Sequence, residues 1–378
     1  MAHSIGVIGG GQLARMMVPP AVHLGFDLRV LAEAEGTSAG LAATAVGDHH
    51  DARAVLDFAR DVDVVTFDHE HVPQEVLRAL VEAGVAVHPS PGALAVAQDK
   101  IVMRERLTAL GLPVPEWSAV RDSADLGAFL EGHGGRAVVK TPRGGYDGKG
   151  VRVVRAADEA DDWFAVVAEH GPDAVLLVEE LVEFRRELSQ LVARRPSGEI
   201  AAWPLVETMQ RDGVCAEVTA PAPGASEALV REAEAIARSV AEQLEVTGVL
   251  AVELFETADG RLLINELAMR PHNTGHWTID GAVTSQFEQH LRAVLDLPLG
   301  ETSAHRPWSV MVNVLGGPSE GTMGDRLAAL MAAQPGAKVH DYGKDPRPGR
   351  KVGHVTTTGA DLDEVTARAR AAVRFFEG

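Results

Sequence analysis

Cysteine is almost missing from this sequence: Cys215 is the single one in 378 residues. One thiol excludes an intrachain disulfide framework and a thiolate-rich zinc site, and a lone cysteine is expected to be a small buried side chain. No apolar run approaches the roughly 18–20 residues that span a bilayer. The opening MAHSIGVIGGG lacks a basic segment followed by a signal-length apolar stretch, so a cytoplasmic location with no membrane partner is expected. Positive charge is also scarce, with 35 Lys and Arg against 54 Asp and Glu and a net charge of −19. Such a surface repels polyanions and excludes non-specific nucleic-acid binding. Any anionic small substrate must therefore meet a local cluster of cations. Lysine is the scarcest cation, with only Lys100, Lys140, Lys149, Lys338, Lys344 and Lys351, and all but Lys338 fall in segments that read below as phosphate sites.

What is present is an ordinary globular composition, 46% hydrophobic and 24% charged, long enough for two or three domains of roughly 100–200 residues. Up to residue 98, strand and helix patterns alternate. SIGVIGGG reads as a buried strand entering a glycine turn, QLARMMVPPAVHLG as a helix interrupted near Pro19, and FDLRVLAE as a second strand. DARAVLDFARD and VPQEVLRALVEAG read as helices, VDVVTF and VAVHPS as a third and a fourth strand. This alternation predicts a Rossmann-like parallel sheet covered on both faces. From 99 to 300 the pattern changes. KIVMRERLTALG reads as a helix stopped at Gly111 and Pro113. AVVK and VRVV are strands around a glycine-rich loop, and AVLLVEELV, ELSQLVARR and IAAWPLV are further antiparallel strands. SEALVREAEAIARSVAEQLE is a long amphipathic helix, and VLAVELFE and RLLINELA form a hairpin around TADG. Residues 301–378 read as a small α+β unit. The expected fold class is thus α/β and α+β in three parts, 1–98, 99–300 and 301–378.

Five motifs carry chemistry. Gly9, Gly10 and Gly11, followed by Gln12, Leu13 and Ala14, fit G-x-G-x-x-A after a strand, which lets backbone amides approach an anion at a helix N-terminus. Three readings stay open for it: a nicotinamide dinucleotide with Glu33 or Glu35 on its ribose, another anion, or a purely structural turn. TPRGGYDGKG, residues 141–150, places four glycines between strands. Its amides, with Lys140 and Lys149, suit phosphates, and the ordering entropy of the glycines favours a lid that closes on a ligand. The alternative is a solvated hairpin loop. Glu253 and Glu266 lie in the two hairpin strands and are expected to face one layer. Buried carboxylates need a partner or a cation; beside phosphates, oxygen ligands imply magnesium, with Arg270 as the alternative partner. MRPHNTGH, residues 269–276, supplies Arg270, a fork for an oxyanion, together with His272, Asn273 and His276, the histidines being bases, donors or structural groups. KDPRPGRKVGH, residues 344–354, gathers Lys344, Arg347, Arg350 and Lys351 as either a phosphate pocket or a solvated loop.

In order and over nearly the whole chain, GGGQLARM, GGYDGKG, EELV with Glu187, INELAMRPHNTGH and RPGRKVGH resemble the 5-(carboxyamino)imidazole ribonucleotide synthetases, ATP-grasp ligases of purine biosynthesis. The resemblance implies an ATP-grasp architecture: a pre-ATP-grasp domain over 1–98, the ATP-grasp domain with its lid over 99–300, and a C-terminal domain over 301–378. It implies ATP with Mg2+, two ions, aminoimidazole ribonucleotide and bicarbonate as substrates, and a homodimer. Lys100 and Lys140 match the ATP phosphate lysines, and Gly145, Tyr146, Asp147, Gly148, Lys149, Gly150 and Val151 the phosphate-covering loop. Glu179, Glu180, Leu181 and Val182 match the adenine hinge, Glu187 the ribose ligand and Gln210 a further nucleotide contact. Glu253 and Glu266, with Asn265 beside them, match the metal ligands. Gly11, Gln12, Leu13, Glu70, Tyr146 and Asp147 are implied to line the ribonucleotide pocket, and Lys344, Arg350 and Lys351 to hold its phosphate. Arg270, His272 and Asn273 are implied near bicarbonate, and Arg270, His272, Asp147 and Lys149 are the catalytic candidates. The sequence departs from the family pattern at Ala14, at Asp68, His69 and His71, and at Glu180, which leaves the contacts of 68–71 open.

The reaction implied is phosphorylation of bicarbonate to carboxyphosphate, then transfer of the carboxyl group to the exocyclic amine, with Asp147 or His272 taking the amine proton. Competing readings are another ATP-grasp ligase, such as a formate-dependent glycinamide ribonucleotide transformylase or a biotin carboxylase, a nicotinamide oxidoreductase built on the first domain, and a non-catalytic nucleotide-binding regulator.

Overall fold

The structure is a computed structural model that describes residues 3–145, 149–169, 171 and 174–377. Its first sheet is built from β1 (Ser4–Ile8), β2 (Asp27–Ala32), β3 (Ala43–Val46), β4 (Val64–Phe67) and β5 (Ala86–Val87), in the order β3-β2-β1-β4-β5. Every pair is parallel. The expected parallel sheet is therefore present, with two differences. The sequence reading missed β3, whose short ATAV is too small a run to signal a strand. The predicted strand VAVHPS shrinks to Ala86–Val87, because Pro89 has no amide hydrogen to give the ladder.

Helix α1 (Gln12–Leu24) corrects a third expectation. It runs unbroken through Pro19 and Pro20 and ends at Gly25, whose φ of 71° gives a left-handed cap. The two prolines remove two helical hydrogen bonds. Burial of Leu13, Met17 and Ala21 in the core formed with β1 and β2 offsets that loss. The same core takes in Phe287 and Leu291 of helix Gln286–Val294, tying the first sheet to the rest of the chain. His290 pins that joint. Its Nδ1 accepts the Val249 amide at 3.1 Å and its Nε2 donates to the Thr66 hydroxyl at 2.8 Å. Burial lowers its pKa to about 3, so the ring is neutral.

A second, four-stranded sheet consists of β6 (Trp117–Val120), β7 (Ala137–Lys140), β8 (Val151–Val154) and β9 (Leu176–Glu180), in the order β6-β9-β7-β8, all antiparallel. β7 and β8 are the hairpin that carries the 141–150 loop. The third sheet starts with β10 (Phe184–Arg194), β11 (Ile200–Ala202), β12 (Val206–Arg211), β13 (Val214–Ala220), β14 (Gly248–Thr257) and β15 (Leu262–Ala268). It continues without interruption into β16 (Trp308–Leu315), β17 (Lys338–Asp341) and β18 (Lys351–Gly359). β13 pairs with β16, placing Glu217 opposite Val312. The strands after residue 300 thus extend the same sheet as the strands before it. The amphipathic helix Glu227–Gln243 covers β10 and β14 through Ala233, Ala237 and Val240. No helix among the described residues is long and apolar enough to cross a membrane.

Candidate active site

A cavity of about 1010 Å³ separates the four-stranded sheet from the nine-stranded one and reaches the first sheet. One end is organised around Glu179, at the end of β9. Lys140 Nζ lies 2.6 Å from one oxygen of Glu179, and Arg104 Nε donates to the other at 2.5 Å. Both Arg104 and Glu179 are buried. Arg104 also donates to the Asn265 carbonyl at 2.7 Å, while Lys140 reaches Asn265 Oδ1 at 3.3 Å. Burial works against ionisation of Glu179, but the two cations hold its pKa below the ordinary carboxylate range. Burial lowers the pKa of Lys140. Lys140 is therefore a desolvated cation held in place by one carboxylate and one amide.

Two carboxylates close the floor. Glu253 on β14 and Glu266 on β15 are direct cross-strand partners next to a β-bulge. Burial, then repulsion from Glu266 and Glu187, raises Glu253 to about 8. Like charges directly opposite each other destabilise a ladder, and a hard divalent cation removes that penalty by taking oxygen ligands from both. This donor set fits magnesium. Glu187 on β10 is raised by burial and accepts a hydrogen bond from Gln210 on β12.

The 141–150 loop is tied to this end by its neck. The Thr141 amide donates to the Gly150 carbonyl at 2.9 Å, and Lys100 Nζ donates to the Gly144 carbonyl at 2.9 Å. Gly145 has φ 84°, and a side chain there would strike the Lys149 carbonyl. Tyr146, Asp147 and Gly148 lie outside the described residues.

The other end of the cavity is cationic. Arg270 pairs with Glu70 at 2.7 Å, both buried. Lys344 donates to the Gln12 carboxamide. Arg350 and Lys351 line the wall beside them. His272 stands between the two ends, with Nε2 3.5 Å from Glu253 and Nδ1 2.9 Å from the Thr274 hydroxyl. Burial, then the Arg270 and Lys351 charges, keeps its pKa well below the ordinary value. His276, the other histidine of this motif, is buried against Gln286, whose amide donates to its Nδ1 at 2.9 Å. Cys215 borders the cavity as a buried thiol, raised to about 12 by burial.

The glycine bend after β1 is filled differently. Asp68, just past β4, accepts the Ala14 amide at 2.7 Å, and its carboxylate occupies the space that a side chain on Gly11 would need. Glu33 accepts the Gly10 amide at 3.1 Å and pairs with His69. The anion-binding end of α1 is thus taken by the chain's own carboxylate. Glu33, one of the two ribose acids offered by the nicotinamide reading, is engaged with the bend itself.

Three protein families match successive parts of the chain. The ribonucleotide synthetase preATP-grasp domain family matches residues 1–98, the ATP-grasp domain family 105–287, and the phosphoribosylaminoimidazole carboxylase C-terminal domain family 309–368. An N5-carboxyaminoimidazole ribonucleotide synthase of Mycobacterium tuberculosis is 51% identical, over 99% of this chain and 88% of its own. The chain belongs to the N5-carboxyaminoimidazole ribonucleotide synthase family. Two solved synthases of this family superpose closely. The Thermus thermophilus synthetase is 39% identical, with a TM-score of 0.86 and 99% of both chains covered. The Aspergillus clavatus synthase, solved with ADP and 5-aminoimidazole ribonucleotide, is 31% identical, with a TM-score of 0.87 over 99% of this chain and 98% of its own.

Most candidate residues of this synthase-family chain converge on the one cavity. Lys100, Lys140, Gly145, Val151, Glu179, Glu180, Leu181, Val182, Glu187, Gln210, Glu253, Asn265 and Glu266 line the end around Glu179. Gln12, Leu13, Glu70, Arg270, His272, Asn273, Lys344, Arg350 and Lys351 line the remainder. Gly11 borders an adjoining pocket of about 230 Å³, which shares Lys344 and Arg350 with the cavity. Lys149 and Gly150 lie outside the described lining of the cavity. Glu179 adds a task to the hinge assignment, since its side chain fastens Lys140. Arg104 was missed by the sequence reading. Its spacing of four from Lys100, which puts both on adjacent helical turns, was the available signal.

Proposed function

We propose that this chain carboxylates the exocyclic amine of 5-aminoimidazole ribonucleotide with bicarbonate, using ATP, to give N5-carboxyaminoimidazole ribonucleotide, ADP and phosphate. The observation that carries this reading is the polarity of the 1010 Å³ cavity: lysines and paired carboxylates at one end, a cationic wall at the other, and neutral His272 between them. ATP lies along the hinge 179–182, with its phosphates on Lys140 and Lys100 under the 141–150 loop. Glu253 and Glu266, with Asn265 adjacent, are the groups that hold magnesium, which when bound neutralises phosphate charge. Arg270, with Asn273 beside it, orients bicarbonate as the nucleophile for the terminal phosphoryl group. Carboxyphosphate forms as ADP leaves. The ribonucleotide, held by its phosphate on Lys344, Arg350 and Lys351, presents its amine to the activated carboxyl carbon, and inorganic phosphate departs. His272, kept neutral by burial and by adjacent cations, accepts the amine proton. A closed loop over the phosphates keeps water from the intermediate. The same reading takes the working protein as a cytoplasmic homodimer, which sedimentation velocity at micromolar concentration tests for assembly.

The decisive assay is ADP release with each substrate omitted in turn. Release should require both bicarbonate and the ribonucleotide, and formate should not replace bicarbonate. Full-rate release with neither substrate present would overturn the reading. Lys351→Ala should raise KM for the ribonucleotide roughly tenfold, the value of one charged hydrogen bond, with little change in KM for ATP.

A further inference from the structure

A histidine-rich cluster lies on the first sheet, outside the cavity. Glu33, just past β2, His49, past β3, and His69, past β4, project from the carboxyl ends of three parallel strands. One ligand atom from each falls within 4.8 Å of the others. His69 Nε2 and Glu33 Oε1 are 3.1 Å apart. Ligand atoms on one tetrahedral zinc ion, at 2.0–2.1 Å from it, sit roughly 3.3 Å apart. The ring of His49 lies 4.7 Å from that of His69, and both of its nitrogens are shielded from solvent without a hydrogen-bond partner. A satisfied surface histidine would spend at least one nitrogen on water or protein.

The geometry points to a divalent transition-metal site of the zinc class, formed by Glu33, His49 and His69. Two imidazoles and a carboxylate suit zinc and its neighbours rather than magnesium or calcium, which take oxygen. Glu33 supplies the negative charge as a carboxylate beside the His69 ring. The carboxylate can serve the metal through Oε1 while Oε2 keeps the Gly10 amide. His69 Nδ1 accepts the His71 amide at 3.2 Å. Metal at Nε2 moves the ring proton to Nδ1 and forfeits that bond, a small cost beside the metal–ligand bonds gained. A bound ion would brace the glycine bend from behind, since Glu33 holds both.

The test is equilibrium dialysis of the chelator-stripped full-length protein against Zn2+, comparing wild type with His49→Ala. Wild type should retain one zinc per chain more than the variant at low micromolar Zn2+, and the variant's affinity for that ion should fall about tenfold or more. Zinc-edge anomalous diffraction should put a peak between Glu33, His49 and His69 in wild type and remove it in the variant. Equal zinc content in the two proteins, a wild-type affinity weaker than about 10 μM, or a peak only between Glu253 and Glu266 would overturn the site. ADP release by His49→Ala should match wild type.

Discussion

Two glycine-rich segments of this chain follow β-strands and read alike as anion cradles, yet the structure uses them in opposite ways. At the Gly9–Gly11 bend, the Gly10 and Ala14 amides are already taken by Glu33 and Asp68. At the 141–150 loop, the neck is anchored to Lys100 and to Gly150, and it opens onto Lys140 and the Glu253–Glu266 pair. Glycine at a strand end reports room for backbone approach. What takes that room depends on the neighbouring strand. Asp68 at the end of β4 supplies the first segment with an anion from within, whereas the second faces the cavity, with Lys140 held at its wall by Glu179.

The largest effect should come from emptying the second segment's far wall. Glu266→Ala should lower turnover on the order of 10³-fold while leaving the circular dichroism spectrum and thermal midpoint near wild type. A mild loss would detach Glu266 from the reaction. Arg104→Met comes next. Breaking a buried pair costs about 3 kcal/mol, readable by urea unfolding, and a loosened Lys140 should also raise KM for ATP but not for the ribonucleotide. An unchanged KM for ATP would reduce Arg104 to a purely structural role. On the bend, Asp68→Ala should cost about 1 kcal/mol, as loss of a helix N-terminal acceptor does, and leave KM for ATP unchanged. A KM shift as large as that of Arg104→Met would erase the contrast between the two segments. The smallest effect is acid sensitivity at Glu33. Its pKa is depressed from 4.5 to about 2, chiefly by His69, so its stabilisation is present above about pH 4.5 and fades as the pH falls towards 2. Because the group is partly exposed, solvent screening keeps the effect small. Glu33→Gln should flatten that part of the unfolding-versus-pH curve.

Much of this was legible in the sequence because the signals are local. The parallel alternation of the first sheet and the β7–β8 hairpin follow from periodicity and turn chemistry within short windows, whereas the pairing of Glu253 with Glu266 depends on a β-bulge beside Glu253. The residues that escaped depend on distant partners. Arg104 reads as one more charge on a polar helix face until β9 brings Glu179 against it. Asp68 looks like a loop acid until β1 and β4 pair. The helix through Pro19 and Pro20 survives because of burial against β1 and β2, which no local rule registers. β13 and β16 pair across nearly a hundred residues, so nothing near residue 300 foretold that one sheet would continue past it.

That continuity has a consequence for anyone trimming the chain. Cutting it near residue 300 would not unplug a tail. It would strip β16, β18 and β17 from the sheet and leave β13 as a bare seven-residue margin, the kind of unpaired strand that invites self-association. Because Lys351 opens β18, the same cut would also remove a cation from the wall. Solubility and ribonucleotide recognition should therefore be lost together.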